Sequence, residues 1–167
     1  ESYVEAAYRN NPVPTTGGNQ WWWYTDTYRA LLQADPADTR AALTCRTADY
    51  GTGGRRIGWT EKLMGRVDNG TRIFDSDFIL YRYGEAFLMA AEALYYGKDY
   101  AGALEALAPL AARAYGRRDY YTDTSPEAVL QAIVDEYLRE MVGEGRTWWM
   151  LLRTDKIWEY SADIAAQ

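Results

Sequence analysis

Two glutamates, Glu85 and Glu92, have the type and spacing that come closest to a catalytic pair. Paired carboxylates hydrolyse glycosidic bonds when they lie about 5–5.5 Å apart in retaining enzymes or about 6.5–9.5 Å apart in inverting ones. Seven residues of helix place these two about 10.5 Å apart along the axis. The surrounding helix is rich in small and apolar residues and offers no cleft for a sugar. We therefore expect structural ion pairs, with partners among four arginines: Arg82, Arg139, Arg146 and Arg153.

Large aromatic residues are the second chemical feature of the chain. Seven Trp, fifteen Tyr and three Phe occur, and four aromatics are consecutive at residues 21–24. Successive side chains of a helix or strand point in different directions, so at least one of these four should be exposed. Exposed aromatics can mark binding sites or cover an interface with another domain, and both readings stay open. The predicted ligand-binding residues are Trp21, Trp22, Trp23 and Tyr24, with Tyr120 and Tyr121 as additional candidates.

Composition excludes several classes of function. A net charge of −6 and a pI near 4.7 argue against nucleic acid, because phosphate neutralisation needs a basic surface. The chain has no His, which removes His-based catalytic dyads, triads and zinc sites, and the lone Cys45 has no partner for an internal disulfide. The glycines at 51, 53 and 54 lack the Gly-Lys-Ser/Thr ending of a phosphate loop. We expect no metal, cofactor or transmembrane segment.

Apolar periodicity predicts a mainly α fold. In residues 77–94 a stripe recurs at steps of three and four, which predicts a central helix packed inside a bundle. A second helix is predicted over residues 100–114, where Pro109 should kink it or start a new segment. The short turn between them makes a tetratricopeptide-like helical hairpin. The predicted stripe of the central helix consists of Leu80, Gly84, Phe87, Ala91 and Leu94.

Turn and cap signals define the remaining elements. Asp68-Asn69-Gly70 predicts a tight β-hairpin turn between arms at residues 62–67 and 71–74. A third helix should begin at Thr124 as part of a capping box or at Ser125 with proline in its first position, and a helical segment should follow at residues 146–158. Elsewhere residues 1–76 read as irregular and aromatic-rich, with a possible helix tail at 2–9 and a short helix at 26–33. Residues 77–167 read as the helical region.

Three stretches resemble the SusD/RagB family. Residues 81–94 are similar to its helix R-x-A-E-x-x-L-x-x-A-E-A, and residues 60–72 resemble the segment that leads into that helix. Residues 35–40 resemble its D-P-R turn, with extra residues before Arg40. A second block matches E-R-x-x-E-L-x-x-E-G-x-R-W-x-D-L-x-R at Glu136, Glu140, Glu144, Gly145, Trp148, Leu151 and Arg153.

Three positions of that second block depart from the family pattern. Tyr137 and Thr147 replace arginines, and Met150 replaces an aspartate. The resemblance implies that these charges join an ion network in relatives. Replacing a whole buried ionic group by apolar residues can be neutral or stabilising, so we expect the helix to survive. The same changes argue against a functional role for that network here.

The resemblance, over residues 35–158, implies a non-enzymatic, surface-exposed lipoprotein of the bacterial outer membrane. It would bind oligosaccharides or other nutrients for a TonB-dependent SusC-type transporter. Cys45 does not fit the family's lipidated cysteine, because no apolar signal segment precedes it. We expect the anchor upstream, in a longer protein of which this is the C-terminal portion. A helical protein-interaction scaffold, with a concave groove, and a glycan-cleaving enzyme remain as alternatives.

Overall fold

The computed structural model of the chain describes residues 24–50, 55–62, 65–77 and 79–160. The predicted helix tail at residues 2–9 and three of the candidate aromatics, Trp21, Trp22 and Trp23, lie outside these ranges. The fold is mainly α, as predicted. Within the described ranges the helices are α1 (Asp26–Leu32), α2 (Ala41–Thr44), α3 (Tyr83–Tyr96), α4 (Tyr100–Tyr115), α5 (Pro126–Glu140), α6 (Thr147–Arg153) and α7 (Ile157–Tyr160). The strands are β1 (Arg46–Tyr50), β2 (Arg55–Trp59), β3 (Arg66–Asp68) and β4 (Thr71–Ile73).

The described residues pack into two units. The first contains residues 24–34 and 41–77, with α1, α2 and the four strands. The second, the helical unit, contains residues 35–40 and 79–160, with α3 to α7. The segment 35–40 therefore belongs to the helical unit, although its sequence neighbours on both sides belong to the first.

In the first unit, the predicted short helix forms as α1. Thr25 caps its N-terminus, and the Thr25 Oγ1 accepts a hydrogen bond from the Tyr28 backbone N–H at 3.2 Å. Leu32 at the end of α1 is buried, as is Cys45. The Gln33 side chain, which follows α1, donates to the Cys45 carbonyl oxygen at 3.3 Å. This hydrogen bond ties the end of α1 to the start of β1.

Two antiparallel hairpins complete the first unit. The predicted turn is confirmed, since Asn69 and Gly70 have φ values of 48° and 79° and join β3 to β4. Positive φ at both central residues suits the twist of paired strands. The first arm is shorter than predicted and begins only at Arg66. We did not predict the second hairpin, β1 with β2, because each strand has only two alternating apolar positions, Ala48 and Tyr50 in β1 and Ile57 and Trp59 in β2.

The central helix α3 begins at Tyr83, six residues later than predicted. Leu80 is therefore not helical, and its side chain is exposed. The predicted buried stripe is also shifted. The buried face of α3 carries Glu85, Leu88, Ala91 and Glu92, because arginines of the helical unit neutralise the two carboxylates there.

Helices α3 and α4 form the predicted helical hairpin. Gly97 ends α3, and Asp99 caps α4, with the Asp99 Oδ1 accepting a hydrogen bond from the Gly102 N–H at 2.9 Å. Helix α4 runs through Pro109 without starting a new segment, and it ends at Gly116, whose φ is 75°. A left-handed residue at this position is the usual helix stop.

Helix α5 is the most buried element described. It begins with Ser125 as the N-cap and Pro126 in the first turn, which decides between the two predicted starts. Three charged residues are buried on it together with its apolar ones: Glu136, Arg139 and Glu140. The helical segment predicted at 146–158 is divided into α6 and α7, and Asp155 between them has a φ of 56°.

Candidate functional site

Tyr24 is the only one of the four consecutive aromatics among the described residues. It is partly buried in the first unit, and its hydroxyl donates to the Thr44 carbonyl oxygen at 2.8 Å. Its ring meets the Tyr28 ring edge-on, with centroids 5.2 Å apart. The ring of Tyr24 is therefore held by an aromatic neighbour, while its hydroxyl already has an acceptor.

The other two candidate aromatics, Tyr120 and Tyr121, are neighbours in the helical unit. The Tyr120 ring stacks on Tyr115 with a centroid distance of 3.6 Å, and its hydroxyl donates to Asp35 at 2.7 Å. The Tyr121 hydroxyl donates to Glu136 at 2.9 Å, and its side chain lines an open cavity of about 320 Å³. Both hydroxyls are thus engaged inside the protein.

Tyr115, Tyr120 and Tyr121 retain their phenolic protons. Burial, together with the hydrogen-bonded Asp35 carboxylate, raises the pKa of Tyr120 to about 12. Burial and the Glu136 carboxylate also raise the pKa of Tyr115 and of Tyr121. All three side chains therefore act as hydrogen-bond donors to carboxylates at neutral pH.

A buried ion cluster lies beside these tyrosines. The Arg40 guanidinium binds Asp38 at 2.8 Å, Glu136 at 2.8 Å and Glu140 at 3.1 Å, and its side chain is only 10% exposed. The hydroxyl of Tyr115 accepts from Arg40 at 2.8 Å and donates to Glu136 at 2.6 Å. We call these five residues, together with Arg82 and Arg113, the core ion cluster.

Glu140 receives the other two guanidinium groups of the cluster. Arg82 and Arg113 each donate to it at 2.5 Å, and Arg82 also binds Glu144 at 2.7 Å. Gly84 leaves room for this contact, because a Cβ there would clash with the Arg82 guanidinium and with the Glu140 carboxylate. The residue before α3 is extended, and this conformation places the Arg82 side chain for the contact.

The protonation of Glu140 is fixed by this environment. Burial alone would raise the pKa of Glu140, but the hydrogen bonds from Arg82 and Arg113 outweigh burial and lower it to about 2. Glu140 is therefore ionised at neutral pH. A carboxylate held by several cations is a poor acid and a poor base near pH 7, so the core ion cluster is structural rather than catalytic.

An open groove lies along α3, with a cavity volume of about 440 Å³. Its floor contains charged and polar side chains, and its rim is aromatic and apolar. We call it the α3 groove. The floor residues are Glu85, Glu92, Tyr137 and Arg153, and the rim residues are Tyr81, Met89 and Tyr96.

Ion pairs line the floor of the α3 groove, as the sequence predicted for Glu85 and Glu92. The Arg153 guanidinium donates two hydrogen bonds, of 2.7 and 2.9 Å, to the Glu92 carboxylate. Arg146 lies 3.4 Å from Glu85. Among the described residues, each of these carboxylates forms an ion pair with one arginine, whereas three arginines bind Glu140.

The Tyr137 hydroxyl is the exceptional atom of the floor. The Tyr137 residue is 2% exposed, and among the described residues its hydroxyl makes no well-formed hydrogen bond. It lies beside the Glu92 carboxylate and the Arg153 guanidinium. Met150, which stands where the family pattern has an aspartate, is also buried. Tyr137 and Met150 therefore place uncharged side chains in the interior at two positions where the family pattern has charged ones.

The rim of the α3 groove is exposed. Tyr81, Met89 and Tyr96 are all among the exposed large side chains of the helical unit. The Arg146 guanidinium stacks over the Tyr81 ring at 5.4 Å, and the Tyr96 hydroxyl donates to the Arg153 carbonyl oxygen at 2.7 Å. The rim is thus anchored to the floor by two polar contacts.

The two carboxylates of the α3 groove differ from those of a glycoside hydrolase. Glycoside hydrolysis needs one carboxyl group that holds a proton and one that is free to act on the sugar or on water. In the α3 groove both carboxylates are paired with arginines. Over the described ranges no group of His, Cys, Asp and Glu is arranged to hold a metal ion, and no helix has the length and apolar character needed to cross a membrane.

Sequence reasoning identified the glutamates of α3 and their arginine partners but missed Arg40. The available signal was the resemblance of residues 35–40 to a family turn that ends in arginine. The α3 groove was also missed, because periodicity assigned Tyr81 to the helix rather than to a rim before it. The orphaned hydroxyl of Tyr137 has no signature in sequence at all.

Comparison with known proteins identifies the family. A model of the SusD family matches residues 46–165. The crystal structure of a SusD superfamily protein from Bacteroides fragilis NCTC 9343 is similar, with 28% sequence identity and a TM-score of 0.67. That similarity covers 80% of this chain and 30% of the other, so the chain spans less than a third of the solved relative. Curated protein sequences provide no match. The family match covers most of the chain, which therefore belongs to the SusD family.

Proposed function

We propose that this chain is part of a surface lipoprotein that binds a glycan or related nutrient for a TonB-dependent SusC-type transporter of the outer membrane. Its membership of the SusD family is the observation that carries this proposal. The chain supplies the C-terminal, helical portion of such a protein. Membrane attachment is assigned to a lipid anchor upstream of these residues.

The proposal includes no catalytic step. The acidic pair closest to a glycosidase in sequence, Glu85 and Glu92, is neutralised by Arg146 and Arg153. Glu136 and Glu140 are neutralised by the core ion cluster. An ionised carboxylate held by arginine neither carries a proton to a leaving group nor attacks a sugar readily. This arrangement supports binding without turnover.

The ligand contacts that we assign first are the aromatic residues Trp21, Trp22, Trp23 and Tyr24, followed by Tyr120 and Tyr121. Tryptophan and tyrosine offer a flat apolar face and a polar tip, which suit a pyranose ring with its apolar faces and equatorial hydroxyls. Tyr24 supports this assignment by its partial exposure and its fixed ring. Tyr120 and Tyr121 contribute less, because their hydroxyls are engaged by Asp35 and Glu136.

Calorimetric titration with plant and host oligosaccharides tests the proposal. We expect saturable binding with no release of shorter sugars, and we expect a triple variant with Trp21, Trp22 and Trp23 changed to alanine to bind at least about tenfold more weakly, since stacking faces are lost. Far-UV circular dichroism and a melting curve of the variant show whether the fold is kept. Sugar binding with turnover contradicts the proposal, and no sugar binding at all excludes a glycan as the ligand.

A protein-interaction scaffold is the second candidate, because α6 and α7 expose a set of large apolar side chains. Exposed patches of this kind mark protein–protein contacts. If the chain binds no sugar yet co-purifies with the transporter through this surface, the scaffold role replaces ligand binding. The exposed residues are Trp148, Trp149, Leu152 and Trp158.

A further inference from the structure

We propose that the α3 groove is a second saccharide-binding site, one that takes a single neutral sugar ring. The inference rests on the proposed function, and it adds a site in the helical unit that is separate from the aromatic residues 21–24. The ring would lie between Tyr81 and Tyr96, above the Glu92–Arg153 ion pair. Four features of the groove carry the proposal: an orphaned hydroxyl, spare hydrogen-bonding capacity, balanced charge and an aromatic rim.

The first feature is the orphaned Tyr137 hydroxyl. Buried polar groups nearly always have a hydrogen-bond partner, and one left without a partner costs about 1–3 kcal/mol. The Tyr137 hydroxyl lies beside the Glu92–Arg153 pair, and Tyr137 lines the floor of the cavity. Burial, and next the Glu92 carboxylate, raises the pKa of Tyr137, so the group keeps its proton. Its contacts with Glu92 and Arg153 are too long or too poorly aligned to be good hydrogen bonds, so a ligand oxygen that enters the floor beside Arg153 would supply a better acceptor.

The second feature is spare hydrogen-bonding capacity in the ion pairs. A carboxylate has about four lone-pair positions and a guanidinium has about five N–H donors. Arg153 uses two donors on Glu92, and the side chain of Arg153 is 49% exposed. Acceptors on Glu92 and donors on Arg153 therefore stand side by side at the open edge of the pair. Sugar hydroxyls, each both donor and acceptor, match this alternation.

The third feature is the charge of the groove. Glu85 and Glu92 carry two negative charges, and Arg146 and Arg153 carry two positive charges opposite them. The balance leaves no net charge to attract an acidic or a basic ligand. A charged ligand would also have to displace an existing partner, which leaves the other member of the pair uncompensated. The groove therefore favours a neutral polyhydroxyl ligand over a charged one.

The fourth feature is the aromatic rim. Tyr81 is 80% exposed, and Tyr96 and Met89 are exposed beside it. Aromatic rings with one apolar face open to water are suited to the apolar face of a sugar ring. The cavity volume of about 440 Å³ lies at the small end of the range of ligand pockets. It suits one ring, with the rest of an oligosaccharide leaving over the rim.

Titration with defined trisaccharides tests the second site. The probes are neutral trisaccharides built from glucose, mannose, galactose or xylose, and a trisaccharide of uronic acid as the charged comparison. The variants are Tyr81→Ala, which removes the rim, and Tyr137→Phe, which removes only the floor hydroxyl. Tyr83→Ala is the matched control, because Tyr83 is as exposed as Tyr81, at 79% against 80%, and does not line the groove. The Nε–Hε NMR signal of Arg153 reports occupancy of the floor.

We expect a neutral trisaccharide to shift the Arg153 signal and the uronic acid probe to leave it in place. Affinity at this site should fall about tenfold in Tyr81→Ala and about threefold to tenfold in Tyr137→Phe, with Tyr83→Ala unchanged. If sugars bind but the Arg153 signal and both affinities stay the same, the second site is wrong and the proposed function stands. If none of these trisaccharides binds, the second site is wrong, and the wider oligosaccharide panel tests the proposed function separately.

Discussion

The helical unit contains two pairs of glutamates that meet arginines in different ways. In the core ion cluster, Glu140 alone is bound by Arg40, Arg82 and Arg113, and the cluster extends to Tyr115. In the α3 groove, Glu92 is held by one half-exposed arginine, beside a hydroxyl that makes no well-formed hydrogen bond within the described residues. Glutamates and arginines thus have many ion-pair and hydrogen-bond partners in the core ion cluster and fewer at the floor of the α3 groove.

The difference indicates which region holds the fold and which is open to a ligand. Charges removed from water are stable only when their partners and hydrogen bonds are complete, and the core ion cluster meets this condition. The groove is incomplete, but water and a ligand can reach its edge. Substitutions should therefore affect stability strongly in the cluster and weakly in the groove, while effects on binding should show the reverse order.

The largest effect on stability is expected for Arg40→Ala. This change leaves Asp38, Glu136 and Glu140 buried without their shared cation, and breaking a buried ion pair on one side costs about 3–5 kcal/mol. Denaturant titration followed by circular dichroism measures the loss. Arg118→Ala is the control, since Arg118 pairs with Glu105 at the surface and should lose at most about 1 kcal/mol. Equal losses in the two variants would show that the cluster does not hold the helical unit.

The pH dependence of stability is expected to follow Glu140. Its pKa is about 2 in the folded protein and near 4.5 ordinarily, so the folded state binds the proton less well. The stabilisation is present above pH 4.5 and is lost as the pH falls toward 2, with a total of about 3 kcal/mol. Denaturation curves between pH 6 and pH 2 measure it.

Glu140→Gln is the control for this titration, because the amide cannot be ionised. The variant should start less stable and should lose less on acidification than the parent chain. A parent and a variant that lose stability in parallel over this range would assign the acid sensitivity to other carboxylates.

The helices could be predicted because hydrophobic periodicity and capping residues are properties of short sequence segments. Periodicity and capping residues predicted α4 and the start of α5 to within a residue or two, and Asn69-Gly70 predicted the β3–β4 turn. Hydrophobic periodicity failed on α3, since it treats carboxylates as solvent-facing and therefore shifted the buried stripe away from Glu85 and Glu92.

Long-range chemistry had no local signal in the sequence. Arg40 and Glu136 are 96 residues apart in sequence, and nothing near either residue marks the other as its partner. The α3 groove is likewise assembled from residues before α3, on α3, on α5 and on α6. Its floor includes a buried hydroxyl with no well-formed hydrogen bond in the part of the chain that the structure describes, which is a property of the packed structure rather than of any residue pattern.

The smallest effect on stability is expected for Tyr137→Phe in the α3 groove, which we compare with Tyr115→Phe in the core ion cluster. Tyr115→Phe removes a hydroxyl that donates to Glu136 and accepts from Arg40, so it should cost about 1–3 kcal/mol. Tyr137→Phe removes a hydroxyl with no well-formed bond in the described residues, so the change should be neutral or stabilising by up to about 1 kcal/mol. Denaturant midpoints of both variants, compared at one pH, measure the difference. A loss from Tyr137→Phe as large as that from Tyr115→Phe would mean that the hydroxyl is already satisfied within the fold, and the groove would then have no orphaned donor to offer a ligand.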